Sequence, residues 1–103
     1  MSDVLIRIKR AVLAGRFDFT RKAIEEMVVD DLTRMDVAES ILNAVAIYKS
    51  IRSHSPNRSN RREKLHIIQG TNLYGVAIYT KGKLVTRDGV EAYYFLISSK
   101  RAD

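Results

Sequence analysis

The chain has 103 residues, with 18 Lys and Arg against 12 Asp and Glu, a net charge of +6, 46% hydrophobic residues, one Pro and no Cys. A chain of this length supports one modest core and no second one, so residues 1–103 read as a single domain. The missing Cys exclude disulfides, thiol nucleophiles and thiolate metal sites, and no apolar run approaches the roughly 20 residues that crossing a bilayer requires.

The first half reads as helical. Ser2 is placed to cap a helix over Asp3 to Ala14, whose apolar positions Val4, Leu5, Ile8 and Val12 recur at three and four residues, with Gly15 as its stop. Arg7, Lys9 and Arg10 interrupt that apolar series, so it lacks the core of a signal peptide and a cytoplasmic protein is expected. Arg16 to Phe19 reads as a connector. Thr20 caps a second helix carrying Ala23, Ile24, Met27 and Val28, which Asp30-Asp31 ends. Thr33, three residues before Asp36, forms a variant of the capping box and opens a third helix through Val37, Ala38, Ile41 and Leu42.

The period then changes to two. Val45 to Ser53 reads as a strand that starts in the core and runs outward, and His54 to Arg62 as a loop. Leu65 to Gln69 is a second strand, Gly70-Thr71-Asn72 a turn, Leu73 to Thr80 a third strand and Lys81-Gly82-Lys83 another turn. Asp88-Gly89 turns once more before a last strand over Glu91 to Ser98. The expected class is α+β: two or three helices packed on one face of a four-stranded, largely antiparallel sheet.

The excess charge is concentrated. Residues 1–48 and 65–103 are close to neutral, whereas residues 49–64 hold Lys49, Arg52, Arg58, Arg61, Arg62 and Lys64 against Glu63 alone. Such a block attracts polyanions, of which phosphate backbones are the usual cytoplasmic kind; it also suits a solvated loop.

The other motifs are weaker. Gly70 and Gly75 have the glycine spacing of a phosphate-binding loop, but Val76 and Ala77 stand where Lys and Ser or Thr are required. His54 and His66 have no carboxylate at metal spacing; they remain candidates for acid–base work beside the basic block, or surface residues without chemistry. More is offered by a basic and phenolic set: Lys49 and Arg52 on the first strand, Tyr74 and Tyr79 on the third, Lys100 and Arg101 after the fourth. Tyr74 and Tyr79 have opposite parity, so one regular strand cannot present both on the same surface. Cleavage of RNA through its 2′-hydroxyl needs a proton acceptor, charge stabilisation at phosphorus and a proton donor, and cations with a tyrosine can supply all three. Edge charges that oppose aggregation and packing tyrosines explain the same residues without chemistry.

The run Ile47-Tyr48-Lys49-Ser50 after the helices, followed by glycine-containing strands and Tyr93-Tyr94-Phe95-Leu96-Ile97-Ser98-Ser99-Lys100, resembles small bacterial toxins of the motility quorum-sensing regulator type. It resembles still more a related family encoded beside zinc-finger antitoxins; both are relatives of the RelE/ParE-like toxins. The resemblance implies an mRNA endoribonuclease that needs no metal or other cofactor, neutralised by an antitoxin with a zinc-binding domain and a helix-turn-helix domain. It places the family's strand lysine at Lys49, its C-terminal lysine at Lys100, its tyrosine at Tyr74 with Tyr79 as the second choice, and its glutamine at Gln69. RNA contacts are then expected from Arg52, Arg58, Arg61, Arg62, Lys64 and Arg101. A binding module of the same fold without catalysis, or a nuclease that cuts only on the ribosome, would use the same surface.

Overall fold

The computed structural model describes residues 3–52, 63–87 and 91–103, with backbone alone at 87 and 91. Among them the chain forms α1 (Asp3–Leu13), β1 (Phe17–Phe19), α2 (Arg21–Val29), α3 (Arg34–Asn43), β2 (Lys49–Arg52), β3 (Lys64–Thr71), β4 (Ala77–Arg87) and β5 (Glu91–Arg101). The class is α+β, but the sheet has five strands and is mixed, in the order β1-β5-β4-β3-β2. The β2 to β5 meander is antiparallel, and β1 joins its far edge parallel to β5, pairing Phe17 with Tyr94 and Phe19 with Leu96. No helix is long and apolar enough to cross a membrane.

Local chemistry sets the helix ends. The Thr20 hydroxyl accepts from the Ala23 amide at 3.2 Å and caps α2. Thr33 and Asp36 form a complete capping box at α3: the Asp36 amide donates to the Thr33 hydroxyl, and the Thr33 amide donates to the Asp36 carboxylate at 2.9 Å. Behind α1 the Arg16 amide reaches back to the Ala11 carbonyl and closes the helix at Gly15.

Alternation along the strands gives the sheet two unlike faces. One carries Phe17, Ile68, Tyr94 and Leu96, which pack with Leu5, Ile8 and Val12 of α1 and Val37 and Ile41 of α3 into a single core. α2 adds Met27 to that core and follows the edge of β5 beyond β1. There Glu26 accepts from the Ser98 hydroxyl at 2.7 Å and the Ser99 amide at 3.1 Å, and Asp30 accepts from the Arg101 amide at 2.8 Å. These carboxylates occupy edge amides that would otherwise be open to another strand.

Four expectations need correction. The connector over Arg16 to Phe19 contains β1, a strand too short for periodicity to reveal and paired with the opposite end of the chain. The strand expected from Val45 begins only at Lys49: Val45 is 86% exposed and the Lys9 ammonium holds the Ala44 carbonyl at 2.6 Å, so residues 44–48 run as an irregular link. Lys81-Gly82-Lys83 is no turn but the middle of β4, where the register shifts. A Cβ on Gly82 would stand 2.6 Å from Cζ of Tyr94, so this glycine exists to let that buried ring lie against the strand. The actual reversal is at residues 72–76, which removes Leu73 and Tyr74 from the strand. The expected loop over His54 to Arg62, the Ser2 cap and the Asp88-Gly89 turn lie outside the described residues.

Candidate functional site on the open sheet face

None of the three helices covers the second face of the sheet. Across it, register alone aligns Gln69 of β3, Tyr79 of β4 and Lys100 of β5 in one row. The adjoining row runs Lys49 of β2, Ile67 of β3 and Lys81 of β4; the β5 residue at its end, Ser98, is buried and donates to Glu26 of α2. Neighbours in a row are about 4.8 Å apart and the rows about 7 Å apart, so Lys49 and Lys100 stand on the order of 16 Å apart at their Cα atoms, with Gln69, Tyr79 and Lys81 between them. The Lys100 ammonium lies 5.4 Å from the centre of the Tyr79 ring, in the range of a cation–π contact. Lys49, Gln69 and Lys100 are exposed, and Tyr79 and Lys81 are half-buried.

Of the residues singled out in the sequence, Lys49, Gln69, Tyr79 and Lys100 thus share a surface. Tyr74 does not: it stands in the β3–β4 turn, 87% exposed. Arg52 and Lys64 are cross-strand partners on the other parity, with Ser50 and His66, and so belong to the side of the sheet that the helices pack on. Arg101 pairs with Ile78 on that same side, its guanidinium 3.8 Å from Asp103. His54, Arg58, Arg61 and Arg62 lie outside the described residues.

His66 is a buried residue, not the strand-surface histidine expected. It is 8% exposed, and its Nδ1 shares a 2.8 Å hydrogen bond with the Ser50 hydroxyl. Burial, and then the nearby charge of Lys64, holds its pKa below the ordinary histidine value. Tyr48, Lys49, Ser50, Lys64 and His66 border a cleft of about 580 Å³ at this edge of the sheet.

Lys81 is the group that sequence reading missed. Assigned to a turn, it lost its place in the series Tyr79, Lys81, Lys83, whose period of two continues through Gly82 and was the available signal. Lys83, one step further, is engaged by Glu63 at 3.4 Å. The resulting surface offers three cations, a phenol and a carboxamide, and among them no carboxylate. It can hold a phosphate, stabilise added negative charge on it and donate hydrogen bonds to its oxygens. Compared with models of protein families, with curated proteins and with solved structures, the chain has no significant match.

Proposed function

We propose that the protein is the toxin of a type II toxin–antitoxin pair, an mRNA endoribonuclease whose site is the open sheet face. The observation that carries this reading is the cross-strand row Gln69–Tyr79–Lys100 flanked by Lys49 and Lys81, a concentration of cations and one phenol on a face that the helices leave uncovered. The resemblance of the Ile47–Ser50 and Tyr93–Lys100 runs to small bacterial toxins supports it.

In this reading the lysines hold the phosphates on either side of the scissile bond. The 2′-hydroxyl oxygen attacks phosphorus and gives its proton to solvent water, while the bond from phosphorus to the 5′-oxygen breaks and that oxygen takes a proton from water. The products are a 2′,3′-cyclic phosphate and a 5′-hydroxyl, so atoms and charge balance without redox change. Lys49 and Lys100 stabilise the charge that accumulates on the pentacoordinate phosphate, Tyr79 and Gln69 orient its oxygens, and Lys81 adds a third positive charge. Tyr79 takes the role first given to Tyr74, because only Tyr79 shares the face with Lys100. The expected partner is a zinc-finger and helix-turn-helix antitoxin that covers the same face.

The test is cleavage of a labelled mRNA by the purified chain against variants at Lys49 and Lys100. A module that binds RNA without cutting it is the second reading, favoured by the exposure of the row and by the same excess of charge. It predicts salt-sensitive binding with no product; cutting that requires translating ribosomes would leave naked RNA intact and cleave translated message.

A further inference from the structure

The turn between β3 and β4 displays two large apolar side chains and is braced far beyond what joining two strands requires. Leu73 is 74% exposed and Tyr74 87%. Beneath them Asn72, 5% exposed, accepts from the amides of Tyr74 and Val76 at 2.9 Å each and donates to Asp36 at 3.0 Å. The Leu73 amide donates to Glu39 at 2.9 Å, the Asn43 carboxamide donates to the Thr71 carbonyl at 2.9 Å, and the Gly75 amide closes onto the Asn72 carbonyl at 3.1 Å. Gly75 sits at φ 81°, where a side chain would strain. Two side chains of α3, Glu39 and Asn43, therefore bond the backbone of the turn and a third, Asp36, holds the Asn72 side chain, while the turn's own large side chains stay exposed. Asp36 is itself fixed, its carboxyl held below the usual range chiefly by the Thr33 amide, which outweighs the opposing effect of burial, with further help from the Thr33 hydroxyl and Asn72.

A rigid base under an exposed aromatic ring removes much of the ordering cost of binding it. The turn continues the two strands that carry Gln69 and Tyr79, one exposed cross-strand pair, Thr71 and Ala77, beyond that row. Tyr74 therefore stands on the order of 10 Å along the strands from the row of Lys100, and about 7 Å more from the row of Lys81 and Lys49. We infer that Tyr74, supported by Leu73, is a stacking platform for an unpaired nucleobase of single-stranded RNA whose phosphates lie on Lys100, Lys81 and Lys49. This rests on the reading of the open face as an RNA interface. Every base has a π-face, so such a platform accepts any sequence.

The test uses a fluorescein-labelled octamer of adenylate and the same octamer with abasic riboses, which keeps every phosphate and removes every π-face. The wild type is expected to bind the base-bearing octamer roughly five- to hundredfold more tightly than the abasic one. Tyr74→Ala is expected to lose that preference while keeping the abasic affinity, and Tyr74→Phe to retain it; each melts with the wild type because the side chain is exposed. An undiminished preference in Tyr74→Ala, no preference in the wild type, or loss in Tyr74→Phe overturns the platform while the face still binds RNA. Failure of the wild type to bind either octamer instead overturns the RNA interface itself, and the platform with it.

Discussion

The ammonium of Lys100 lies 5.4 Å from the centre of the Tyr79 ring, and the two residues are direct cross-strand partners on the sheet face away from the helices. The phenol thus keeps a cation beside it at the place where a phosphate would be bound. Lys100→Ala is expected to lower RNA cleavage by about a hundredfold or more, the usual cost of one preorganised charge-stabilising group. Its melting temperature should stay close to the wild type, since Lys100 is exposed. Tyr79→Phe should keep the ring under the ammonium and lose cleavage, separating the hydroxyl from the packing.

Binding should report the same lysines through salt. Each phosphate neutralised on a single strand contributes a slope of about −0.7 in log K against log salt, so three contacts give about −2. Lys81→Ala should reduce the slope by about 0.7; an unchanged slope would remove Lys81 from the interface.

His66 makes stability depend on pH. Its folded pKa lies below its unfolded one, because burial and then Lys64 oppose the charged ring, so below about pH 6.5 the unfolded chain binds more protons than the folded one. The contribution is complete above pH 6.5 and declines as the pH falls towards the folded value. Urea midpoints at pH 7.5 and pH 5 should therefore differ, and His66→Gln should lessen the difference.

The approach of Tyr94 to Gly82 gives a packing test. A Cβ there meets the ring at 2.6 Å and the Phe95 carbonyl at 2.8 Å, so Gly82→Ala should destabilise by about 1–3 kcal/mol in denaturant unfolding. Co-substitution of Tyr94 by a smaller residue should offset part of that loss.

Ser99 offers the opposite case. Its hydroxyl is buried without a hydrogen-bond partner among the described residues, so Ser99→Ala removes a desolvated polar atom and should raise stability, by about 1 kcal/mol. A lower melting temperature would point to a partner for that hydroxyl.

The helices were legible because their signals are local: Thr20 and Thr33 announce their caps, and the spacing of Leu5, Ile8 and Val12 marks the buried stripe. Strand β1 was not, because three residues cannot display a period and the partners of Phe17 and Phe19 are Tyr94 and Leu96. Gly82 misled for a physical reason, since a glycine that admits a ring reads the same as one that turns the chain. That error hid Lys81 and placed the strand tyrosine ambiguously. Parity excluded a regular strand with Tyr74 and Tyr79 on one face, but which of them shares it with Lys100 depends on register, which pairing with β3 and β5 decides. The alternation that joined Lys49 to Lys100 also separates both from Arg52, Lys64 and Arg101, a division that charge counting cannot make.

The central claim is tested most directly by incubating the purified chain, free of antitoxin, with a 5′-labelled mRNA in EDTA, beside the Lys49→Ala/Lys100→Ala double variant. Defined fragments ending in cyclic phosphate from the wild type, and none from an equally folded variant, are the predicted result. Equal cleavage by both proteins, or intact RNA with both, would contradict a nuclease site on the open face.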